Sequence, residues 1–250
     1  MWLVADVHGA TEALARASAL GGPLLVLGDL INFIDYRTNE GIVTDISGRE
    51  FTTEMVRLRT AGELDAARTL WREFSKGREA ELRRTYDERI EEAYQEVCAA
   101  LEGADAYVTY GNVDRPDLLE QHLPAGVRFV DAEVVEIDGA TVGFVGGGMV
   151  SIGTPGEVTE DTMAEKLNRL GRVDILCTHV PPAISALATD VIAGRMKGSS
   201  AIVDYLDRFR PVYHYFGDIH QPRALRWRHG HTTCVNVGYF RATHRAVRHG

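Results

Sequence analysis

The sequence predicts an α/β protein, on three observations. Five short apolar runs end abruptly in polar residues, "MWLVAD", "PLLVLGD", "AYVTYGN", "VDILCTH" and "VYHYFGD", as buried strands do where they meet a loop. Helical periodicity fills several of the gaps between them, the pattern of βαβ units whose sheet is covered by helices. A further group of stretches, "RFVDAEVVEI", "ATVGFVGG", "RALRWRH" and "TTCVNVGYF", has hairpin character.

In chain order, the first strand runs to Ala5 and a helix is expected from Thr11 to Leu20. The second strand ends at Gly28 and Asp29. From Phe33 to about Glu102 the alternation stops, there is no proline, and from Glu63 onward the pattern is helical. Leu64, Ala67, Trp71 and Phe74 form one apolar stripe; Leu82, Tyr86, Ile90, Tyr94, Val97 and Leu101 form a longer one. Two amphipathic helices are expected, the second roughly 24 residues and so about 36 Å long. Such a stripe has to be covered, by its own neighbour or the main body, by acting as a lid, or by a homodimer contact. With no repeat, low-complexity tract or linker in view, residues 33–102 read as a mainly helical insertion in a single domain spanning 1–250. Beyond it, Asp138 and Gly139 supply the chemistry of a tight turn at 137–140. Helices are expected over Val158 to Leu170 and Ser199 to Phe209.

Composition narrows the function classes. A chain of 250 residues with 45% hydrophobic content can bury a substantial core. No apolar run approaches the roughly 20 residues of a membrane span, and no signal-like segment opens the chain, so the expectation is a cytoplasmic protein without membrane contact. Cys98, Cys177 and Cys234 lack the spacing of a disulfide framework or a structural zinc site. The net charge of -9 argues against general nucleic-acid binding, which leaves nucleic acid only as a substrate. The charge is uneven: from Ile219 onward there is no acidic residue, while Arg223, Arg226, Arg228, Arg241, Arg245 and Arg248 occur, either as a positive lip or as a solvated basic tail.

Ligands of open α/β sheets gather at the carboxyl ends of the strands. There the sequence offers Asp6 and His8, Gly28 and Asp29, Gly111 and Asn112, His179, and Asp218 and His220. Each alone has a bland reading as a cap or turn, and the glycines as tight exits. Jointly they supply carboxylate, imidazole and carboxamide donors of the kind borderline divalent metals accept.

The order of "ADVHG", "LGDLIN", "YGNVD", "THVPP" and "FGDIHQP" resembles the calcineurin-like metallophosphoesterase superfamily, in its bacterial phosphodiesterase-like branch. The resemblance spans nearly the whole chain. "CVNVGYF" likewise sits where that family often has a strand followed by an Asn-x-Gly turn. It implies a four-layer sandwich of two mixed β-sheets flanked by helices. It also implies two divalent ions, with Mn or Fe ahead of Zn, Mg or Ni. Asp6, His8, Asp29 and His220 would hold the first, and Asp29 as a bridge, Asn112, His179 and Asp218 the second. Asp29, Asn112, Asp114 and His179 would then serve catalysis, and Asn112, His179 and Arg37 the substrate. Such a centre hydrolyses a small phosphoester in line, a metal-bound hydroxide attacking without a covalent enzyme intermediate.

Three residues depart from the family pattern. Asp218 replaces a histidine, which adds a third carboxylate and favours Mn²⁺ or Mg²⁺ over Zn²⁺ at the second position. Val113 replaces a histidine that assists the leaving group, so the general acid is unassigned and a diester is the better expectation than a monoester. Asn32 replaces an aspartate and keeps an oxygen able to accept a hydrogen bond. The rival reading is a scaffold with this fold and little or no catalysis, binding partners through its helical insertion.

Overall fold

The computed structural model describes residues 1–250 apart from Ile152, Ala193 and Arg195. The chain forms β1 (Trp2–Val4), α1 (Thr11–Ser18) and β2 (Leu24–Leu27), then four consecutive helices, α2 (Ile42–Ser47), α3 (Arg49–Ala61), α4 (Leu64–Ser75) and α5 (Glu79–Ala99). Next come β3 (Ala106–Thr109), α6 (Pro116–His122), β4 (Val127–Phe129), β5 (Glu133–Ile137), β6 (Ala140–Val145) and the short β7 (Gly148–Met149) and β8 (Glu157–Val158). They are followed by α7 (Glu160–Leu170), β9 (Ile175–Thr178), α8 (Ser185–Ala188), α9 (Ser200–Phe209) and β10 (Tyr213–Phe216). Last are β11 (Arg226–His229), β12 (Thr232–Asn236), α10 (Phe240–Thr243) and β13 (Val247–Arg248).

Two mixed sheets result. One has the order β13-β1-β2-β3-β4 and is parallel except where β13 runs against β1. The other has the order β11-β12-β10-β9-β6-β5, parallel at its centre with an antiparallel pair at each edge. The expected turn at 137–140 closes the β5–β6 hairpin: Ile137 pairs with Ala140, while Asp138 (φ 51) and Gly139 (φ 79) take the left-handed conformations a primed two-residue turn requires.

Apolar contacts explain the stacking. Alternate residues of β1 and β2, Leu3, Leu25 and Leu27, pack with Val142, Phe144, Ile175, Cys177 and Tyr215 of the second sheet. Because side chains alternate along a strand, Val4, Leu24 and Val26 face the other way, onto Leu14 of α1, Tyr94 and Val97 of α5, and Leu119 of α6. On the far side, Leu176, Phe216 and Cys234 meet Met163 and Leu167 of α7 and Ile202 and Leu206 of α9. The helices α7 and α9 start where hydroxyls cap them: Thr159 accepts from Thr162 N–H and Ser199 from Ile202 N–H.

The insertion holds four helices where the apolar stripes predict two. α4 and α5 match those stripes, with α5 spanning 21 residues. α2 is only six residues long, too short to show a period, and α3 buries only Thr52, Met55 and Leu58, so neither shows a strong stripe in sequence.

Candidate metal centre

All seven candidate ligands follow carboxyl ends of strands: Asp6 and His8 after β1, Asp29 after β2, Asn112 after β3, His179 after β9, Asp218 and His220 after β10. Loops at these ends are zipped to one another. Asp6 N–H donates to Gly28 O (3.1 Å), His8 N–H to Asp29 O (2.9 Å) and Gly217 N–H to His179 O (2.9 Å). Asp6 (φ 58), His8 (φ 42), Asp29 (φ 53) and Asp218 (φ 64) all have left-handed backbone, uncommon outside glycine and concentrated at functional sites.

The side chains converge. Asp6, His8 and His220 form one group, and Asp6, Asp29 and His179 another, with ligand atoms in each within 4.8 Å of one another. Asp29 turns Oδ2 towards His8 Nε2 (3.7 Å) and Oδ1 towards His179 Nε2 (3.5 Å), one oxygen for each group. His179 Nε2 also lies 3.4 Å from Asn112 Oδ1. Asp218 belongs to neither close group. Its N–H donates to Asp6 Oδ1 (3.1 Å), and its side chain lines an adjoining cleft of about 230 Å³ with Asn112, Glu160 and Lys197.

The donor set fits a divalent cation. His179 Nδ1 lies 2.8 Å from Leu27 O and His8 Nδ1 3.3 Å from Ile31 O; donating there leaves each Nε2 lone pair facing inward, the ligand tautomer. Asp6 Oδ2 is buried with no hydrogen-bond partner among the described residues, an expensive arrangement unless a cation completes it. His8 and His220 also bring their Nε2 atoms to 3.4 Å, two ligand atoms facing one point.

Electrostatics follow the crowding. Burial raises the Asp6 carboxyl, but the His220 ring at 3.7 Å, with His179 and His8, outweighs it and holds the group at about 2. Burial alone would lower His179; the carboxylates of Asp29, Asp218 and Asp6 instead lift it to about 9. Burial lowers His8, against the pull of Asp29. Burial raises Asp218, with Lys197 and His179 opposing.

The remaining sequence candidates have distinct places. Asp114 is fully buried: Oδ1 accepts from Leu30 N–H (3.0 Å) and Tyr94 OH (3.3 Å), and Oδ2 from Gly111 N–H (2.8 Å). It ties the loops that carry Asp29 and Asn112. Burial and the nearby Asp29 charge push its carboxyl up to about 6. Val113 packs against the helix-side core, and its N–H donates to Asp29 Oδ1 (3.1 Å). Arg37 is exposed, on a loop where Asp35 Oδ1 accepts its N–H (2.7 Å). The Asn32 oxygen, expected to accept a hydrogen bond, is buried without one among the described residues; nothing in the structure explains why.

Several residues that sequence reasoning did not select help build the site. The Tyr239 ring stacks on His220 (3.9 Å between centroids), and its hydroxyl donates to Asp35 Oδ2 (3.1 Å). Arg241 donates to His8 O (2.6 Å) and to Glu40 (3.1 Å), so this arginine of the basic C-terminal stretch is a clamp beneath the first ligand loop. Lys197 lines the cleft, its ammonium held charged above all by Asp218. Gly111 and Gly238 act by lacking a side chain: a Cβ at the first would collide with Asp29 Oδ1, and at the second with Asp6 Oδ2. The "CVNVGYF" phrase carried a signal for Tyr239 and Gly238; Lys197, in an irregular loop, carried none.

The molecule is thus an α/β protein with two mixed sheets flanked by helices and a carboxylate–imidazole cluster at the strand ends. Solved structures share this fold across the whole chain. One, 14% identical with a TM-score of 0.59, covers 98% of this chain and 96% of its own. TT1561 of Thermus thermophilus, 12% identical with a TM-score of 0.53, covers the same shares. At such identities the likeness speaks for the fold alone. No family model and no curated protein matches the sequence.

Proposed function

We propose that the protein is a metal-dependent phosphoester hydrolase of the metallophosphoesterase type, with the four-layer sandwich of that family, acting on diesters. The observation that carries this reading is Asp29, which offers one carboxylate oxygen to each of two groups of ligands around a buried, unpartnered Asp6 oxygen. Bound there, two divalent ions would supply an activated water and charge stabilisation for in-line hydrolysis.

Asp6, His8, Asp29 and His220 would hold one ion and Asp29, Asn112, His179 and Asp218 the other. The Leu27 and Ile31 carbonyls fix the imidazole tautomers, Asp114 keeps the Asp29 and Asn112 loops in register, and Tyr239 holds the His220 ring in place. Lys197, at the cleft, is placed to meet substrate charge. Val113 offers the leaving group no proton, so an activated ester suits the site better than an alkyl one.

The test is turnover of bis(4-nitrophenyl) phosphate with metal content measured on the same sample. Chelated protein is expected to be inactive, and Mn²⁺ to restore more activity than Zn²⁺. Equal rates for metal-free and metal-loaded protein would overturn the proposal. Failure to bind any ion would favour a non-catalytic scaffold instead.

A further inference from the structure

The helical insertion, with Thr154 and Pro155 of a facing loop, borders a half-open cavity of about 540 Å³, within the roughly 300–1,000 Å³ of small-molecule sites. Its walls include Phe33, Phe51, Met55, Trp71, Leu82 and Tyr86. Trp71 touches Phe51 and Tyr86 edge-on, with ring centroids 6.0 and 5.8 Å apart, yet remains 39% exposed. These rings line a space instead of filling one. Of its polar groups, Glu79, Arg83 and Asp87 are exposed, Arg59 and Thr154 are half-buried, and Ser75 is buried with its hydroxyl donating to Arg72 O (3.4 Å), so most of the buried wall is apolar.

The cavity neighbours the metal centre. Phe33 and Ile34 belong to the loop that follows Asp29. Thr154 lines the cavity and donates to Asn112 O (2.6 Å). Arg59, at the cavity, also borders a second hollow with Val150 and Ser151, and those two residues line the cleft that contains Asn112, Lys197 and Asp218. Shared walls therefore link, in turn, the cleft of Asn112, Lys197 and Asp218, the hollow beside Arg59, whose guanidinium donates to the Tyr36 hydroxyl (3.3 Å), and the aromatic cavity.

We infer that the cavity is a subsite for the apolar group of an amphiphilic phosphoester whose phosphate lies at the metal centre. The inference rests on the hydrolase reading and adds the substrate class to it. A polar head needs the cations, and an apolar chain gains by leaving water for the aromatic wall.

The experiment compares ethyl, butyl and octyl 4-nitrophenyl phosphates, which share one leaving group, on the Mn²⁺-loaded protein. kcat/KM is expected to rise about a hundredfold from ethyl to octyl, a fraction of what six fully buried methylenes would give. Phe51→Ser and Trp71→Ser should each flatten the series; the octyl-to-ethyl ratio is taken within one protein sample, so a general loss of activity cancels. A 2-naphthylethyl ester as effective as octyl would assign the subsite to aryl groups; a weaker one assigns it to chains. In parallel, octyl and ethyl phosphate are titrated calorimetrically into metal-free protein. Chain-dependent binding without any hydrolysis would sink the hydrolase reading and leave the cavity as an apolar-ligand site. A ratio near one in both measurements overturns the inference.

Discussion

Asp218 shows how far a single residue can be read. Its place after β10 followed from the sequence, because a polar residue closing an apolar run marks a strand end whatever the strand order. Its reach did not: the carboxylate lies beside the cleft, outside the two tightest groups, and only distances across loops reveal that. If it ligates the second ion, Asp218→Ala should bind one ion where the wild type binds two at matched free Mn²⁺. Two ions at wild-type affinity would make it a bystander. The glycines tell the same story. Gly111 reads as a permissive turn residue, whereas its importance is the space it leaves for Asp29 Oδ1, a contact between residues far apart in the chain.

At the scale of elements, α5 does two jobs along its length. Tyr94, Val97 and the following Leu101 bury against the first sheet, so that part of the stripe is covered by the main body, while Leu82 faces the insertion cavity and Tyr86 and Ile90, between them, touch both. The stripe was legible, since 3.6-residue periodicity is local; the partner of each half was not, since it depends on where the helix docks. Tyr94 makes the docking matter to the centre: its hydroxyl donates to Asp114 and accepts from Arg115 N–H (2.6 Å). Tyr94→Phe leaves a buried acceptor and a donor short of a partner, so a loss of about 1–3 kcal/mol in stability is expected. Weaker metal binding should accompany it, because Asp114 holds the loops of Asp29 and Asn112. Urea unfolding and metal titration of the variant check both effects; a loss of stability alone would mean that Asp114 keeps the loops without the tyrosine.

For the whole molecule, the strands were readable but their pairing was not. β4, β7, β8 and β13 are two or three residues long, too short to show alternation, and pairing β13 with β1 joins the two extremes of the chain. The fold also buries His214 completely, in the core between β10 and α9. Thr178 donates to Val180 O (2.6 Å), so the His214 Nε2 at 2.8 Å must donate to Thr178, and Nδ1 is left unprotonated and without a partner among the described residues. Burial lowers its pKa from 6.5 to about 3. The unfolded chain therefore takes up this proton before the folded one does. The share of stability that depends on this ring is complete above about pH 6.5 and is lost as pH falls towards 3, with a slope approaching about 1.4 kcal/mol per pH unit. His214→Gln should flatten that acid limb in urea unfolding between pH 7 and 4.5, even if it lowers stability at pH 7. Parallel curves for the two proteins would show that this ring does not set the limb. No helix among the described residues is long and apolar enough to cross a membrane.

The clamp of Arg241 on His8, and the meeting of His8 with His220 across 212 positions, also order events in time. On a ribosome adding about 5–20 residues each second, the two histidines emerge on the order of ten to forty seconds apart. During that interval Asp6 and His8 lack half of the cluster and the arginine that seats their loop. A growing chain thus carries only fragments of the cluster until synthesis has passed residue 241, and if the cluster holds an ion as proposed, tight capture of that ion would be a late signal that translation has delivered both sheets.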